Sequence, residues 1–364
     1  MKQNKINLIF YLPNFSQGGA GKSILQLCNL LNKNLFKITI ISIGKCYYKN
    51  SFNENVKFFQ IPKKKIFFSF FDIMEILKNY KKNNTIFISN INYTNTLSCL
   101  FIKLILNYKL ILIERTPLKE LETFYNYKDL FKKKIIYHLM KFFYRFADKV
   151  IVNSLYTKRI FEKKIKCNLK LIYSPSIDKI ELNKRNKIKD ILKIITIGRL
   201  SHEKRHDFLI NAISHINNIK VKVIILGNGP LKKKLNQIIK TKKISKKISI
   251  KSYNNKSSKL LNWSNLYINT SDFEGFPNSV VEAVNKNKFI LSRNSGGGIN
   301  DIIFHSSIGK IIEKDRPEVL AKEIINFFTN KNKKKISKNI ISKKFSNFLA
   351  KNVTKEYNKI FLNL

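Results

Sequence analysis

Cysteine is scarce in this 364-residue chain, and the four that occur (Cys28, Cys46, Cys99 and Cys167) are scattered. No two are close and none has metal-ligand spacing, which excludes a disulfide-stapled scaffold or a zinc finger. They read as reduced, mostly buried thiols of a cytoplasmic protein. Long apolar runs are also lacking. The longest, Leu97 to Ile113, is broken by Lys103, Asn107 and Lys109, whereas a spanning helix needs about 20 largely uncharged residues. A buried helix followed by a strand is expected there. The N-terminal "INLIFYL" is too short for a signal-peptide core and runs into Pro13, so no secretory leader is expected. No internal repeat is present. The chain is therefore expected to be soluble or peripheral, and its length suits about two domains with real cores.

Acidic residues are few: 23 Asp and Glu stand against 70 Lys and Arg, a formal net charge of +47. Two explanations compete. A protein this basic can hold nucleic acid or an anionic membrane surface. Alternatively, the joint abundance of Lys, Asn and Ile is what an A- and T-rich genome encodes, and many lysines are solvated surface. No zinc-finger or RNA-binding signature supports the first, and no specific nucleic-acid partner is expected. Under either reading the surface attracts phosphates.

Apolar runs of strand length, "KINLIFYL", "FKITIISIG", "NTIFISN", "YKLILIER" and "ADKVIVNS", alternate with helical segments in the first half. Near-continuous apolar strands between helices predict a parallel sheet covered on both faces. A polar stretch, "KIELNKRNKIKD", places a linker near residues 180–190. The alternation then restarts with "ILKIITIGRL", "KVKVIILGNG", "ISIKSY", "SNLYINTS" and "KFILSRNS". The expected class is α/β with two doubly wound sheets. The expected boundaries are 1–182, 183–345 and a final helical segment, 346–364. Ligands should sit at the carboxyl ends of the strands. The Lys-rich "NKNKKKISKNIISKK" is read as solvated helix surface or loop.

The stretch "NFSQGGAGKSILQL" satisfies the second half of a Walker phosphate loop with Gly21, Lys22 and Ser23, but Ser16 stands where the first glycine belongs. No later strand ends in the Asp that would hold Mg²⁺. This is not an NTPase loop. Three further clusters fall at strand ends. In "TIGRLSHEKRHD", Arg199 and Lys204 are two cations at one crevice, suited to a diphosphate. In "ILGNGPL", Gly227 and Gly229 allow close backbone approach, as a structural tight turn also would. In "SDFEGFPNSVVEAV", Glu274 precedes and Glu282 lies within a helix, Gly275 permits a sharp turn, and Pro277 suits a first helical position. A carboxylate there can accept hydrogen bonds from vicinal sugar hydroxyls.

The order G-R-L-x-x-x-K, G-x-G-P, S-x-x-E-G-F-P-N-x-x-x-E-A and a glycine-rich "SRNSGGGINDII" resembles the retaining glycosyltransferases of family 4. It resembles above all those that build bacterial surface glycans and lipopolysaccharide. The resemblance spans essentially the whole chain. It implies two Rossmann-like domains facing each other across a cleft (GT-B), with a C-terminal helix crossing back to the first. It implies a nucleotide-sugar donor, with a UDP-sugar expected, carrying a hexose or N-acetylhexosamine. By the resemblance, Arg199 and Lys204 grip the donor diphosphate and stabilise charge on the leaving group. Glu282 holds the ribose. Glu274, Gly275, Phe276, Pro277 and Asn278 meet sugar and pyrophosphate, with Gly227 and Gly229 beside them. Gly18 and Gly19 approach the phosphates from the first domain. Metal-independent transfer with retention, and no cofactor, are implied; no Asp-x-Asp motif is present. The sequence departs from the family pattern at "ERTP", where Arg115 falls near a His that contacts donor sugar in many relatives. It departs also at Arg205, which replaces a glycine, and at Ser174, which stands before Pro175. His202, His206 and His305 are expected in exposed or turn positions.

The first domain should supply the acceptor site. "PKKKIFFSFFDIMEILKNYKK" and "YKDLFKKKIIYHLMKFFYRFADK" interleave cations with aromatic and aliphatic residues at helical spacing. Such helices bind anionic membrane surfaces, or else pack on a core with a lysine-rich solvent face. The first alternative implies a lipid-linked acceptor, such as a lipopolysaccharide or capsule intermediate, at the cytoplasmic face of the inner membrane. A basic nucleic-acid-binding protein, or a nucleotide-sugar hydrolase or phosphorylase on the same fold, are the competing functions.

Overall fold

The computed structural model describes residues 5–15, 18–62, 65–124, 127–182, 187–253, 257–329 and 337–364. The chain divides into two compact units: Met1–Asp178 with Asn347–Leu364, and Lys179–Ser346.

In unit 1 the strands are β1 (Ile6–Tyr11), β2 (Phe36–Ile43), β3 (Lys57–Ile61), β4 (Thr85–Asn90), β5 (Lys109–Glu114), β6 (Lys149–Val152) and β7 (Leu169–Leu171). They form one parallel sheet in the order β3-β2-β1-β4-β5-β6-β7. The central strands are apolar on both faces because helices cover both: every position of β4, "TIFISN", is buried. One layer contains α1 (Gly19–Leu30). The opposite layer contains α2 (Ile66–Leu77), α3 (Asn92–Ser98), its π-helical continuation Cys99–Ile105, and α4 (Tyr127–Phe143).

The C-terminal helix Ala350–Leu362 belongs to unit 1. Its Val353, Tyr357 and Phe361 enter the core beside Phe10 and Phe36, and Phe361 meets those two rings edge-on at 6.3 and 5.9 Å. Truncating a buried phenylalanine of this kind costs about 3–5 kcal/mol, so the last helix is an integral layer of that unit.

Unit 2 repeats the plan with β8 (Ile191–Ile197), β9 (Lys220–Leu226), β10 (Ile248–Lys251), β11 (Leu266–Asn269), β12 (Phe289–Arg293) and β13 (Gly309–Ile312). The sheet is parallel, in the order β10-β9-β8-β11-β12-β13. Its helices include α5 (His206–Ser214), α6 (Lys232–Thr241), α7 (Asn278–Asn285) and α8 (Pro317–Thr329). Both sheets reverse their winding once, between β1 and β4 and between β8 and β11. Those are the switch points where open α/β sheets leave a crevice.

The division falls after Asp178 rather than after residue 182, because Asn285 captures the connecting chain. It accepts from the Glu181 amide at 3.0 Å through its side chain and from the Leu182 amide at 2.8 Å through its carbonyl. Its own side chain donates to the Lys179 carbonyl at 2.9 Å. Among the described residues no helix is long and apolar enough to cross a membrane. Residues 330–336 of the Lys-rich segment lie outside the described residues; its remainder enters the helix Lys338–Phe345.

Candidate active site

The β8–β11 switch point of unit 2 gathers the sequence-predicted residues. After β8 the chain turns through Gly198 and Arg199, makes a 3₁₀ turn at His202–Lys204, and enters α5. Arg199 is exposed, and among the described residues its guanidinium has no ion pair or hydrogen-bond partner. Lys204 lays its aliphatic stem over Gly198, where an added Cβ would stand 3.5 Å away. Its ammonium donates to Glu274 Oε1 at 2.5 Å. Ser271 donates to the same oxygen at 2.6 Å, so Glu274 is fixed from two sides. Lys204 is tied down in turn, since Thr270 donates to its carbonyl at 2.9 Å.

The loop after β11 lies on the glycine-rich turn after β12. Glu274 N–H donates to the Ser295 carbonyl at 3.1 Å, and Gly298 N–H to the Gly275 carbonyl at 2.7 Å. Gly297 has φ +56°, and a Cβ on it would fall 1.7 Å from the Glu274 carbonyl. A Cβ on Gly298 would strike the Phe276 ring at 2.2 Å. The glycines after β12 thus let the E-G-F-P loop seat. Pro277 stands at the N-cap, so α7 opens at Asn278 and not at the proline.

Glu282 lies in the second turn of α7, half-buried. Tyr267 is buried in β11; its hydroxyl donates to the Ile197 carbonyl at 3.2 Å and meets the Ser279 hydroxyl at 2.8 Å. Burial raises the Tyr267 pKa, and the charges of Glu274 and Glu282 raise it further. Both carboxylates thus act electrostatically on the same buried hydroxyl.

Gly227 and Gly229 have a structural reason visible here. A Cβ on Gly227 would sit 1.8 Å from the Gly198 carbonyl, and one on Gly229 2.4 Å from that of Leu200. Hydrogen bonds from Gly198 N–H to the Leu226 carbonyl at 3.0 Å and from Leu200 N–H to that of Asn228 at 2.9 Å join the two loops. The glycines let the loop after β9 support the Arg199 loop.

Two features escaped sequence reasoning. His206 is buried rather than exposed, and its Nε2–H donates to the Arg199 carbonyl at 3.1 Å. Its Nδ1 is buried and has no hydrogen-bond partner within ordinary distance among the described residues, and burial drives the imidazole pKa down to about 4. Arg205 adopts φ +45° just before α5. It pairs with Asp207 at 3.3 Å and Asp272 at 3.2 Å, and Arg293 also reaches Asp272 at 2.8 Å.

In unit 1, Gly18 and Gly19 stand at the start of α1, after β1; Ser16 and Gln17 lie outside the described residues. Gly18 has extended backbone and open space where a Cβ would be. Arg115 follows β5, is half-buried, and donates to Asn90 Oδ1 at 2.9 Å. Burial lowers its pKa. Its neighbour Glu114, unremarked in the sequence, is buried and accepts from Tyr144 at 2.8 Å and from the Thr116 hydroxyl at 3.1 Å. Burial lifts its pKa to about 7. All four cysteines are free, with Cys167 only half-buried.

Two parallel doubly wound units define the two-Rossmann, GT-B fold class. Residues 178–344 match the family model described as Glycosyl transferases group 1. The chain is similar to an uncharacterized glycosyltransferase of Methanocaldococcus jannaschii, 32% identical over 49% of this chain and 47% of that one; it thus spans about half that relative's length. It is 24% identical, over 98% of both chains, to a Campylobacter jejuni enzyme. That enzyme is named GalNAc-alpha-(1->4)-GalNAc-alpha-(1->3)-diNAcBac-PP-undecaprenol alpha-1,4-N-acetyl-D-galactosaminyltransferase. The fold of this chain matches the crystal structure of Anabaena HepE in complex with UDP and glucose, with a TM-score of 0.78, 16% identity and coverage of 99% and 100%. The chain has the GT-B fold and resembles transferases of bacterial surface glycans, with its residues 178–344 matching the glycosyl transferases group 1 model.

Proposed function

We propose that the protein transfers a hexosyl or N-acetylhexosaminyl group from a UDP-sugar to a hydroxyl of a lipid-linked glycan intermediate, with retention of configuration. The observation that carries the proposal is the exposed Arg199, which has no side-chain partner among the described residues, next to the Lys204–Glu274 pair at the β8–β11 switch point. A guanidinium with five free donors is suited to a diphosphate. Lys204 has three N–H donors and spends one on Glu274, so it can also reach a phosphate oxygen.

In this reading Arg199 and Lys204 stabilise the charge that grows on the UDP leaving group as the glycosidic bond breaks. Glu282 accepts from the ribose hydroxyls, and Glu274 with the following Gly275–Phe276–Pro277 loop borders the sugar. The choice of UDP is supported by the HepE complex, and a lipid-diphosphate acceptor by the name of the Campylobacter relative.

Calorimetric titration with UDP, GDP and ADP at about 150 mM salt, where surface charges are screened beyond roughly 8 Å, tests the donor site. Selective UDP binding that Glu282→Ala weakens is expected. Equal, weak binding of every nucleotide, unchanged by the substitution, would sink the assignment.

A further inference from the structure

Three consecutive residues of the turn that carries Lys204 are held by one short segment after β11. Asp272 N–H donates to the Glu203 carbonyl at 2.8 Å, and the Thr270 hydroxyl donates to the Lys204 carbonyl at 2.9 Å. Arg205 donates through Nη1 to Asp272 Oδ1 at 3.2 Å. Lys204 is the middle residue of the three, and its ammonium is the one that reaches Glu274.

That segment is held in turn by Arg293, at the end of β12 and only 8% exposed. Its Nη1 donates to the Thr270 carbonyl at 2.7 Å and to Asp272 Oδ1 at 2.8 Å. Its Nε donates to Asp315 Oδ1 at 2.5 Å, and its Nη2 donates to the other oxygen of Asp315. One planar fork thus ties the segments after β11 and β13 to β12, which the point charge of a lysine cannot do. The Arg293 and Arg205 guanidinium carbons lie 4.8 and 6.0 Å from the centre of the same Phe208 ring. Two cations converge there, and Asp272 Oδ1 accepts from both.

We propose that Arg293 and Arg205, joined through Asp272, are positioning residues that keep the Lys204 ammonium at the donor diphosphate. The proposal deepens the donor-site reading and rests on it. A purely structural tie would end on β12 and its neighbours. These bonds end on Lys204 itself and on the residues that flank it. Arg205 also has φ +45°, a region that strains any side chain and leaves glycine unstrained. The turn is therefore secured by the bond to Asp272, which Arg293 holds in place.

The test is calorimetry with UDP and, by competition, with uridine, which lacks the diphosphate that Lys204 is to grip. Arg293→Lys keeps the charge, so general attraction of phosphate is the same in variant and wild type. It should bind UDP about tenfold more weakly, the scale of one charge-assisted hydrogen bond, with uridine affinity unchanged. Amide exchange of residues 203–206 should quicken in the same variant. A second pair of variants lies at half-buried Arg205 and leaves the buried fork intact. Arg205→Ala and Arg205→Gly remove the same charge, but only Arg205→Ala leaves a Cβ in the left-handed region. Arg205→Ala should therefore bind UDP several-fold more weakly than Arg205→Gly. Wild-type UDP affinity in Arg293→Lys, or equal affinities of the two Arg205 variants, would overturn the proposal. So would a parallel loss of uridine, the mark of a loosened unit rather than a displaced ammonium. A wild type with no preference for UDP over uridine would remove the donor site and the positioning role together, whereas variants that keep that preference remove the role alone.

Discussion

Lys204 and Glu274, 70 residues apart in the chain, meet at 2.5 Å across the β8–β11 switch point, each side chain less than a quarter exposed. The pair holds the ammonium at the crevice, yet the carboxylate also repels any diphosphate that Lys204 is to grip. Glu274→Gln removes the repulsion and keeps an oxygen for the Ser271 hydroxyl. UDP should bind a few-fold tighter to this variant while turnover falls about a hundredfold, the scale of one lost transition-state contact. Calorimetry and initial-rate measurement read the two effects separately. Parallel losses of UDP affinity and turnover would instead make Glu274 a holder of Lys204 alone.

His206 should give unit 2 an acid-sensitive limb. Its pKa falls from 6.5 to about 4 on burial, so the unfolded chain takes up the proton first. The stability that neutral His206 contributes is complete above about pH 6.5 and is lost as pH falls toward 4, on the order of 3 kcal/mol in all. His206→Gln can keep an N–H for the Arg199 carbonyl but cannot titrate. Its melting temperature should depend less on pH across that window than the wild type's. An unchanged acid limb would place the sensitivity elsewhere.

Glu114 works in the opposite direction in unit 1. Burial raises its pKa from 4.5 to about 7, so the protonated form is the one favoured by folding. Its contribution is complete below about pH 4.5 and is lost as pH rises through 7, again on the order of 3 kcal/mol. Glu114→Gln leaves an oxygen for the Tyr144 and Thr116 hydroxyls and should raise unit 1 stability at pH 8 while changing little at pH 4.5. Because the two limbs overlap and oppose each other, denaturation of the wild type alone hides both; the variants separate them. A Glu114→Gln protein no more stable than wild type at pH 8 would contradict the buried-carboxylate account.

The two-sheet plan was legible because β1, β4 and β5 are buried at most or all positions, and every one of β1, β4, β5, β8 and β9 carries a run of buried apolar residues. Edge strands carry less of that signal. β3, "KFFQI", has one buried position in five, and β7 is three residues long with none. β13 hides behind Gly309, whose own Cβ would strike the Ile290 carbonyl at 2.5 Å. The loop clusters at the β8–β11 switch point were legible from residue type and order. What was not legible is pairing at a distance: that Lys204 finds Glu274, that Asn285 captures the chain at Lys179, and that Arg205 keeps a left-handed φ of +45°. A side chain there costs about 1–2 kcal/mol, a strain offset by contacts with Asp207 and Asp272. His206 and Glu114 were missed for one reason: the burial that makes each matter is a property of the packed unit and leaves no mark in composition.

The last prediction separates glycines required by packing from glycines available to a ligand. Gly227→Ala puts a methyl 1.8 Å from the Gly198 carbonyl, and backbone atoms cannot yield as a flexible side chain would. The Arg199 loop must move, so the variant should lose about 1–3 kcal/mol, as overpacked sites do, and lose UDP affinity with it. Gly18→Ala meets nothing within 4 Å and needs only the extended backbone that any residue adopts, so its melting temperature should match the wild type's. If Gly18→Ala nevertheless weakens donor turnover, the glycine is there for the substrate and not for the fold. A Gly227→Ala protein with native stability and full UDP affinity would show that the Arg199 loop does not depend on the backbone contact beneath it.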